Sequence, residues 1–63
     1  MSIELGDRVV YDTQFNTLAS GIVVEVASGL LGDPMVRVAD SWGDRKDEEA
    51  GKWMRASDVQ PMN

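Results

Sequence analysis

Apolar positions along this chain recur in short runs that are separated by turn residues, which is the pattern of β-strands rather than of helices. No stretch of ten or more residues keeps one apolar face at helical spacing. The predicted strands are Arg8 to Tyr11, Ile22 to Ala27, Met35 to Ala39, Lys52 to Arg55 and a closing strand from Gln60 to Met62. Ala56 to Val59 is predicted to form one tight helical turn before the last strand. The pattern therefore predicts an all-β fold, a small five-stranded barrel.

Two predicted loops carry apolar residues that we expect to cover the core. The segment from Asp12 to Ser20 is rich in turn-forming polar residues around Phe15 and Leu18, and these two side chains are expected to close one end of the barrel. Leu30 and Leu31, between two glycine-containing turns, are expected to act in the same way.

The segment from Asp40 to Gly51 is the most polar part of the chain, and we expect it to form a solvated hairpin loop. Its Ser41-Trp42-Gly43-Asp44 sequence has the form of a capping box, so a helical turn between Gly43 and Ala50 is the alternative. Trp42 in this loop either folds back over the barrel or stands out as a contact residue.

The second strand is apolar on both predicted faces. In regular alternation Ile22, Val24 and Val26 lie on one side and Val23 on the other. The first strand is apolar on both faces in the same way, with Val9 and Tyr11 opposite to Val10. A barrel this small has one interior, so part of this surface would be exposed unless something covers it. We therefore expect a homo-oligomer or a dedicated protein partner.

Composition limits the chemistry that is available. The chain has 63 residues, with neither cysteine nor histidine, so residues 1–63 form one domain without disulfides or Cys/His zinc ligands. Catalysis by Ser/His/Asp or Cys/His groups is excluded as well. No calcium-loop or phosphate-cradle motif is present, so we predict no enzyme, no catalytic residues, no metal and no cofactor. The start of the sequence lacks a signal-like apolar stretch, and we expect a cytoplasmic protein that does not enter a membrane.

Net charge −5, from 6 Lys and Arg against 11 Asp and Glu, disfavours attraction to phosphate backbones or anionic membranes. The cations concentrate in the second half of the chain, however, where Arg37, Lys52 and Arg55 fall on the third and fourth predicted strands. Nucleic-acid binding through these three residues is therefore the alternative function.

Three short segments resemble the SH3-like barrels of the KOW and Tudor type. They are Gly6-Asp7-Arg8-Val9, Gly21-Ile22-Val23-Val24 and Ala56-Ser57-Asp58-Val59. The spacing is also similar to that of the plasmid-borne type II dihydrofolate reductases, small barrels that assemble as homotetramers around a central pore. These resemblances imply an SH3-like barrel and self-assembly as expectations.

The reductase activity does not carry over with the resemblance. In that family a Val-Gln-Ile-Tyr segment on the fourth strand lines the pore and binds cofactor and folate, and the matching positions here are Gly51-Lys52-Trp53-Met54. None of the four residues matches, so reduction of dihydrofolate is the least favoured alternative.

The leading hypothesis is a non-catalytic protein-interaction or assembly module. Its predicted contact residues are apolar side chains on the strands and in the polar loop: Trp42, Trp53, Val10, Val23 and Met54. Trp53 and Met54 are neighbours in one strand, so one of them faces the core and the other faces outward. A cage for methylated cations would need Tyr11, Phe15 and Trp42 to converge.

Overall fold

The computed structural model describes residues 3–62 as one five-stranded antiparallel sheet. The strands are β1 (Arg8–Asp12), β2 (Leu18–Ser28), β3 (Pro34–Ala39), β4 (Lys52–Arg55) and β5 (Val59–Pro61). Short 3₁₀ turns occupy Leu30–Gly32, Trp42–Lys46 and Ala56–Asp58. The predicted all-β class, the five strands and the tight turn before the last strand are confirmed.

The long central strand β2 determines how the sheet bends. Spatial order is β4-β3-β2-β1-β5, so β4 and β5 are the two edges. The first half of β2 pairs with β1 and its second half pairs with β3, with Ile22 shared between Arg8 of β1 and Ala39 of β3. The bend brings both edges around one core, because Val59 of β5 and Met54 of β4 pack in the same apolar cluster.

That core consists of valines. Its buried members are Val9, Val23, Val36, Val38 and Val59. Ile3, Tyr11, Met54 and Ala56 pack against them and stay partly exposed. Burial of one such aliphatic side chain contributes about 1.5–3 kcal/mol. A core of this size leaves little reserve against the chain entropy of 63 residues.

A β-bulge in β2 changes which residues face the core. The register between β2 and β3 shifts between Val23 and Glu25, and both Val23 and Val24 are buried. The predicted regular alternation of this strand is therefore wrong, since a bulge inserts one extra residue and reverses the facing of those that follow. Val26, opposite the buried Val36, is half-exposed.

The predicted loop after β1 is shorter than expected. Strand β2 already begins at Leu18, and a tight turn joins it to β1, in which the Thr13 amide donates to the Thr17 carbonyl at 2.8 Å and the two hydroxyls lie 2.7 Å apart. Phe15 lies at the tip of this turn and is 76% exposed, and Leu18 is equally exposed. The prediction that both cover the core is wrong because the turn continues the β1–β2 hairpin and leaves both side chains in solvent.

The prediction that Leu31 covers the core is also wrong. Leu31 is 96% exposed and has a positive φ of 65°, a conformation that places it at the corner of the β2–β3 turn. The side chain of Leu30 lies outside the described part of the structure.

The polar segment between β3 and β4 combines both sequence-based alternatives. Most of its charged side chains are exposed, as expected of a solvated loop. Trp42–Lys46 nevertheless forms a 3₁₀ turn, which the Asp44 amide supports by donating to the Ser41 carbonyl at 3.1 Å. The predicted capping box does not form, because the Ser41 side chain makes no capping hydrogen bond.

Gly51 ends this loop, and we expect it to be the least replaceable glycine of those with positive φ. Its φ is 81°, and a Cβ atom added there would lie 2.6 Å from the Val38 carbonyl oxygen. Gly32 has nearly the same φ of 82° but open space around it. Gly32→Ala should thus cost about 1–2 kcal/mol from backbone conformation alone, whereas Gly51→Ala adds about 1–3 kcal/mol of overlap. Urea denaturation of both variants measures the difference, and equal losses would contradict this account.

Candidate functional site: the groove beside strand β4

Strand β4 is an edge strand whose sequence is Lys-Trp-Met-Arg, with a basic residue at each end and an aromatic and an apolar residue between them. Among residues 3–62 it pairs only with β3, and its register places Met54 opposite Val36 and Trp53 opposite Arg37. Met54 accordingly packs against the core, while Trp53 is 42% exposed on the other face. The expected division between these two neighbours is confirmed, with Trp53 as the outward residue.

An open groove of about 470 Å³ lies along β4. Its lining consists of the whole of β4 together with residues of β1, β3 and the last 3₁₀ turn, namely Tyr11, Asp12, Met35, Lys52, Trp53, Met54, Arg55 and Asp58. This volume falls in the range of small-molecule and cofactor pockets. The groove follows from the bend of the sheet, which brings the end of β1 and the turn before β5 close to the free side of β4. We call this feature the β4 groove.

Charges of both signs line the β4 groove. Lys52 and Arg55 lie on the strand itself, whereas Asp12 and Asp58 come from β1 and from the 3₁₀ turn. None of these four groups takes part in an ion pair within the described residues, where the single pair within 4.0 Å joins Arg37 to Glu25. Four exposed charges around an aromatic and an apolar side chain thus remain available to a bound molecule.

Arg37 belongs to the scaffold behind this groove and not to its surface. Only 2% of the surface of Arg37 is exposed. Its Nε donates a hydrogen bond to Glu25 Oε1 at 3.0 Å. Nη1 donates to the carbonyls of Asp47 and Ala50, both at 2.7 Å, and Nη2 donates to that of Arg45 at 3.2 Å. The prediction that Arg37 faces phosphate is therefore wrong, since every one of its nitrogens is already bonded inside the protein.

Two predicted contact residues lie elsewhere. Val23 is fully buried in the valine core, so its assignment to a contact surface is wrong, because it lies opposite the buried Val38 on the core-facing side of β2. Val10 is partly buried in β1, between Ser20 of β2 and Gln60 of β5, and does not line the β4 groove. Of the predicted interaction residues, the structure brings together Trp53 and Met54, with Lys52 and Arg55 of the alternative set beside them.

Trp42 lies in the 3₁₀ turn between β3 and β4 and is 39% exposed. The guanidinium carbon of Arg45 lies 4.9 Å from the centroid of its ring, and Arg45 Nη1 donates to the Trp42 carbonyl at 3.0 Å. A cation–π contact of this kind holds a loop together locally. Trp42 does not line the β4 groove.

The register separates the three aromatic residues that a methyl-cation cage would need. The turn that contains Trp42 follows Ala39, which pairs with Ile22 of β2. Ile22 in turn pairs with Arg8, so this turn lies near the start of β1. Phe15 lies in the turn beyond the other end of β1. A cage of Tyr11, Phe15 and Trp42 is therefore not formed.

Sequence reasoning missed the second wall of the β4 groove. Tyr11, Asp12 and Asp58 come from elements that are distant from β4 in the chain and meet it only through the bend of the sheet. A cluster of three acidic side chains that could hold a metal ion is not found within residues 3–62.

Comparison with known proteins yields no relative: no family model, no curated protein and no solved structure matches this chain. Within the described residues, no helix has the length and apolar character needed to cross a membrane.

Arg37 is expected to stabilise the protein chiefly through the loop carbonyls and not through its ion pair. Arg37→Ala leaves three carbonyl acceptors without their donor, and we expect a loss of about 2–3 kcal/mol. Glu25→Gln removes only the charge of a half-exposed partner and should cost less than about 1 kcal/mol. Urea denaturation gives both values, and Arg55→Ala is the control for loss of an exposed arginine. A larger loss for Glu25→Gln than for Arg37→Ala would reverse this assignment.

Proposed function

We propose that this protein is a non-catalytic protein-interaction or assembly module whose contact surface is the β4 groove. The observation that carries the proposal is the position of Trp53, a half-exposed tryptophan on the free edge strand of the sheet, beside a concave surface. Tryptophan is, with tyrosine and arginine, one of the residue types enriched among those that anchor protein contacts.

The remaining lining of the groove supports a protein ligand. Met54 and Tyr11 are partly buried and give the groove an apolar floor, and unpaired charges surround it. An apolar centre with a polar, charged rim is the usual anatomy of a protein-binding surface. The proposal is for a cytoplasmic protein, since a chain without cysteine needs no oxidising compartment.

Binding of a single-stranded nucleic acid is the second candidate. Lys52 and Arg55 flank Trp53, and such proteins combine cations for the backbone with aromatic rings on which bases stack. Burial of Arg37 weakens this candidate, because it leaves two of the three predicted cations, and Asp12 and Asp58 share the same groove.

Replacement of Trp53 should abolish partner binding without unfolding the protein. Trp53→Ala and Trp42→Ala form a matched pair, because the two side chains are almost equally exposed but only Trp53 lines the groove. In affinity capture from the native host, we expect Trp53→Ala to lose the specific partner and Trp42→Ala to retain it. Both variants should still unfold cooperatively, which shows that they are folded. Sedimentation velocity of the wild type shows whether the partner is a second copy.

Two results would refute the proposed function. One is that the wild-type protein stays monomeric and that every protein it captures is captured equally by Trp53→Ala. The other is a mobility shift of single-stranded RNA or DNA at about 50 mM salt that Lys52→Glu and Arg55→Glu abolish, which would establish the nucleic-acid alternative.

A further inference from the structure

The backbone ladder identifies which peptide groups of β4 are free. Val23 uses both of its backbone groups on the β1 side, where its amide donates to the Asp7 carbonyl at 2.9 Å and its carbonyl accepts from the Gly6 amide at 2.8 Å. In an antiparallel ladder the groups of successive residues point alternately to the two neighbouring strands. Val38, which lies opposite Val23, therefore directs its own groups away from β2 and toward β4.

The same alternation continues across β4. Lys52 lies opposite Val38 and exchanges hydrogen bonds with it, so the next residue, Trp53, directs both its N–H and its C=O away from β3. The backbone groups of Arg55, two residues later, point away from β3 in the same way. The backbone of Arg55 is still extended, with φ −70° and ψ 142°. The free side of β4 therefore offers the backbone groups of Trp53 and the amide of Arg55 toward the β4 groove.

The other edge of the sheet is less suited to pairing. The Met62 amide donates to the Arg8 carbonyl at 2.9 Å, so Pro61, which precedes Met62 and lies opposite Val9, faces the free side of β5. Proline has no amide hydrogen to donate. Strand β5 is also only three residues long, so β4 is the edge on which a further strand can form regular bonds at both Trp53 and Arg55.

The shape and charge of the β4 groove select the occupant. Tyr11, Asp12 and Asp58 line the groove together with β4, and its volume of about 470 Å³ lies in the range of ligand-binding pockets. Pairing of β4 with the β4 strand of a second copy would bring Lys52 and Arg55 of both copies to one edge, and these like charges disfavour a second copy.

We propose, on the basis of the protein-interaction function above, that the β4 groove binds an extended segment of a partner protein as an additional antiparallel strand on β4, and that this segment has the pattern acidic–apolar–apolar–acidic. The pattern follows from the register. The two apolar residues lie opposite Met54 and Trp53, and the two acidic residues lie opposite Arg55 and Lys52, which have no other ion pair among the described residues.

The acidic residues of the groove suit the other side of such a segment. A strand bound to β4 directs its remaining amides away from β4, and Asp12 and Asp58, which line the groove from β1 and from the 3₁₀ turn, can supply carboxylates to these amides. Carboxylates accept hydrogen bonds from backbone amides. Main-chain bonds then supply affinity and the alternating side chains supply specificity, as in other cases of strand addition.

Synthetic peptides test the proposal on the intact protein. The probe is a fluorescent peptide, Gly-Thr-Glu-Val-Ile-Glu-Thr-Gly, titrated by fluorescence polarisation. We expect saturable binding that weakens by about tenfold or more when the isoleucine amide is methylated, since this removes one ladder hydrogen bond and blocks close approach. Methylation of the first glycine amide is the control and should leave binding unchanged.

A charge exchange tests the register. Arg55→Glu should weaken binding of the probe and restore binding of a peptide with lysine in place of the first glutamate, whereas the same exchange at the second glutamate should respond to Lys52→Glu. Val26, half-exposed and outside the groove lining, provides a surface control as Val26→Thr. Thermal unfolding of each variant confirms that it is folded.

Several outcomes would overturn the inference. They are absence of saturable binding, binding that is insensitive to isoleucine N-methylation, and loss of binding that no charge exchange restores. If these occur while Trp53→Ala still abolishes capture of the native partner, the proposed function stands and only the strand-addition mode fails. A wild-type dimer that Trp53→Ala dissociates would instead identify a second copy as the occupant.

Discussion

The position of the β3–β4 segment depends on one buried guanidinium group. Arg37 donates hydrogen bonds to the carbonyls of Arg45, Asp47 and Ala50. These three residues belong to a polar segment that contributes no side chain to the valine core. An arginine presents five donors in a rigid planar fork, so it can hold three separate carbonyls where a lysine could not. This arrangement fixes where the loop ends at Gly51, and hence where β4 begins and how the β4 groove is formed.

The same interaction changes how the charge of the protein is distributed. Of the six Lys and Arg residues, Arg37 is buried, and the other five are exposed among eleven acidic residues. The cations that remain at the surface of β4, Lys52 and Arg55, are therefore a local exception on an acidic protein. A partner that is held there must be recognised at short range, because the long-range field of the whole chain favours cationic molecules.

The strands were predictable from sequence where β-branched residues alternate with turn signals, and the last tight turn was predictable from Ala56 to Val59. The bulge at Val23 was not, because one extra residue leaves no mark in the local pattern and reverses the faces that follow. Phe15 and Leu31 were expected to be covered because they are apolar, yet turn geometry determined their exposure. Arg37 alternates with Val36 and Val38 like any solvent-facing residue, and only the folded loop shows that it is enclosed. For the site, Trp53 and Met54 could be found from their strand, whereas Asp12 and Asp58 required the tertiary bend.

The two edge strands of the sheet differ in how well their backbones can pair with a further strand. Strand β5 ends in Pro61 and lies near the end of the described chain, so its free side lacks one donor. Strand β4 is fixed at its start by Gly51 and the Arg37 network, and at its end by the 3₁₀ turn Ala56–Asp58. An edge that is already extended and fixed at both ends loses little conformational entropy when another chain pairs with it. Trp53 lies on the face of β4 that points away from the valine core, opposite Arg37, and the hydrogen bonds of this buried arginine hold the loop from which β4 begins.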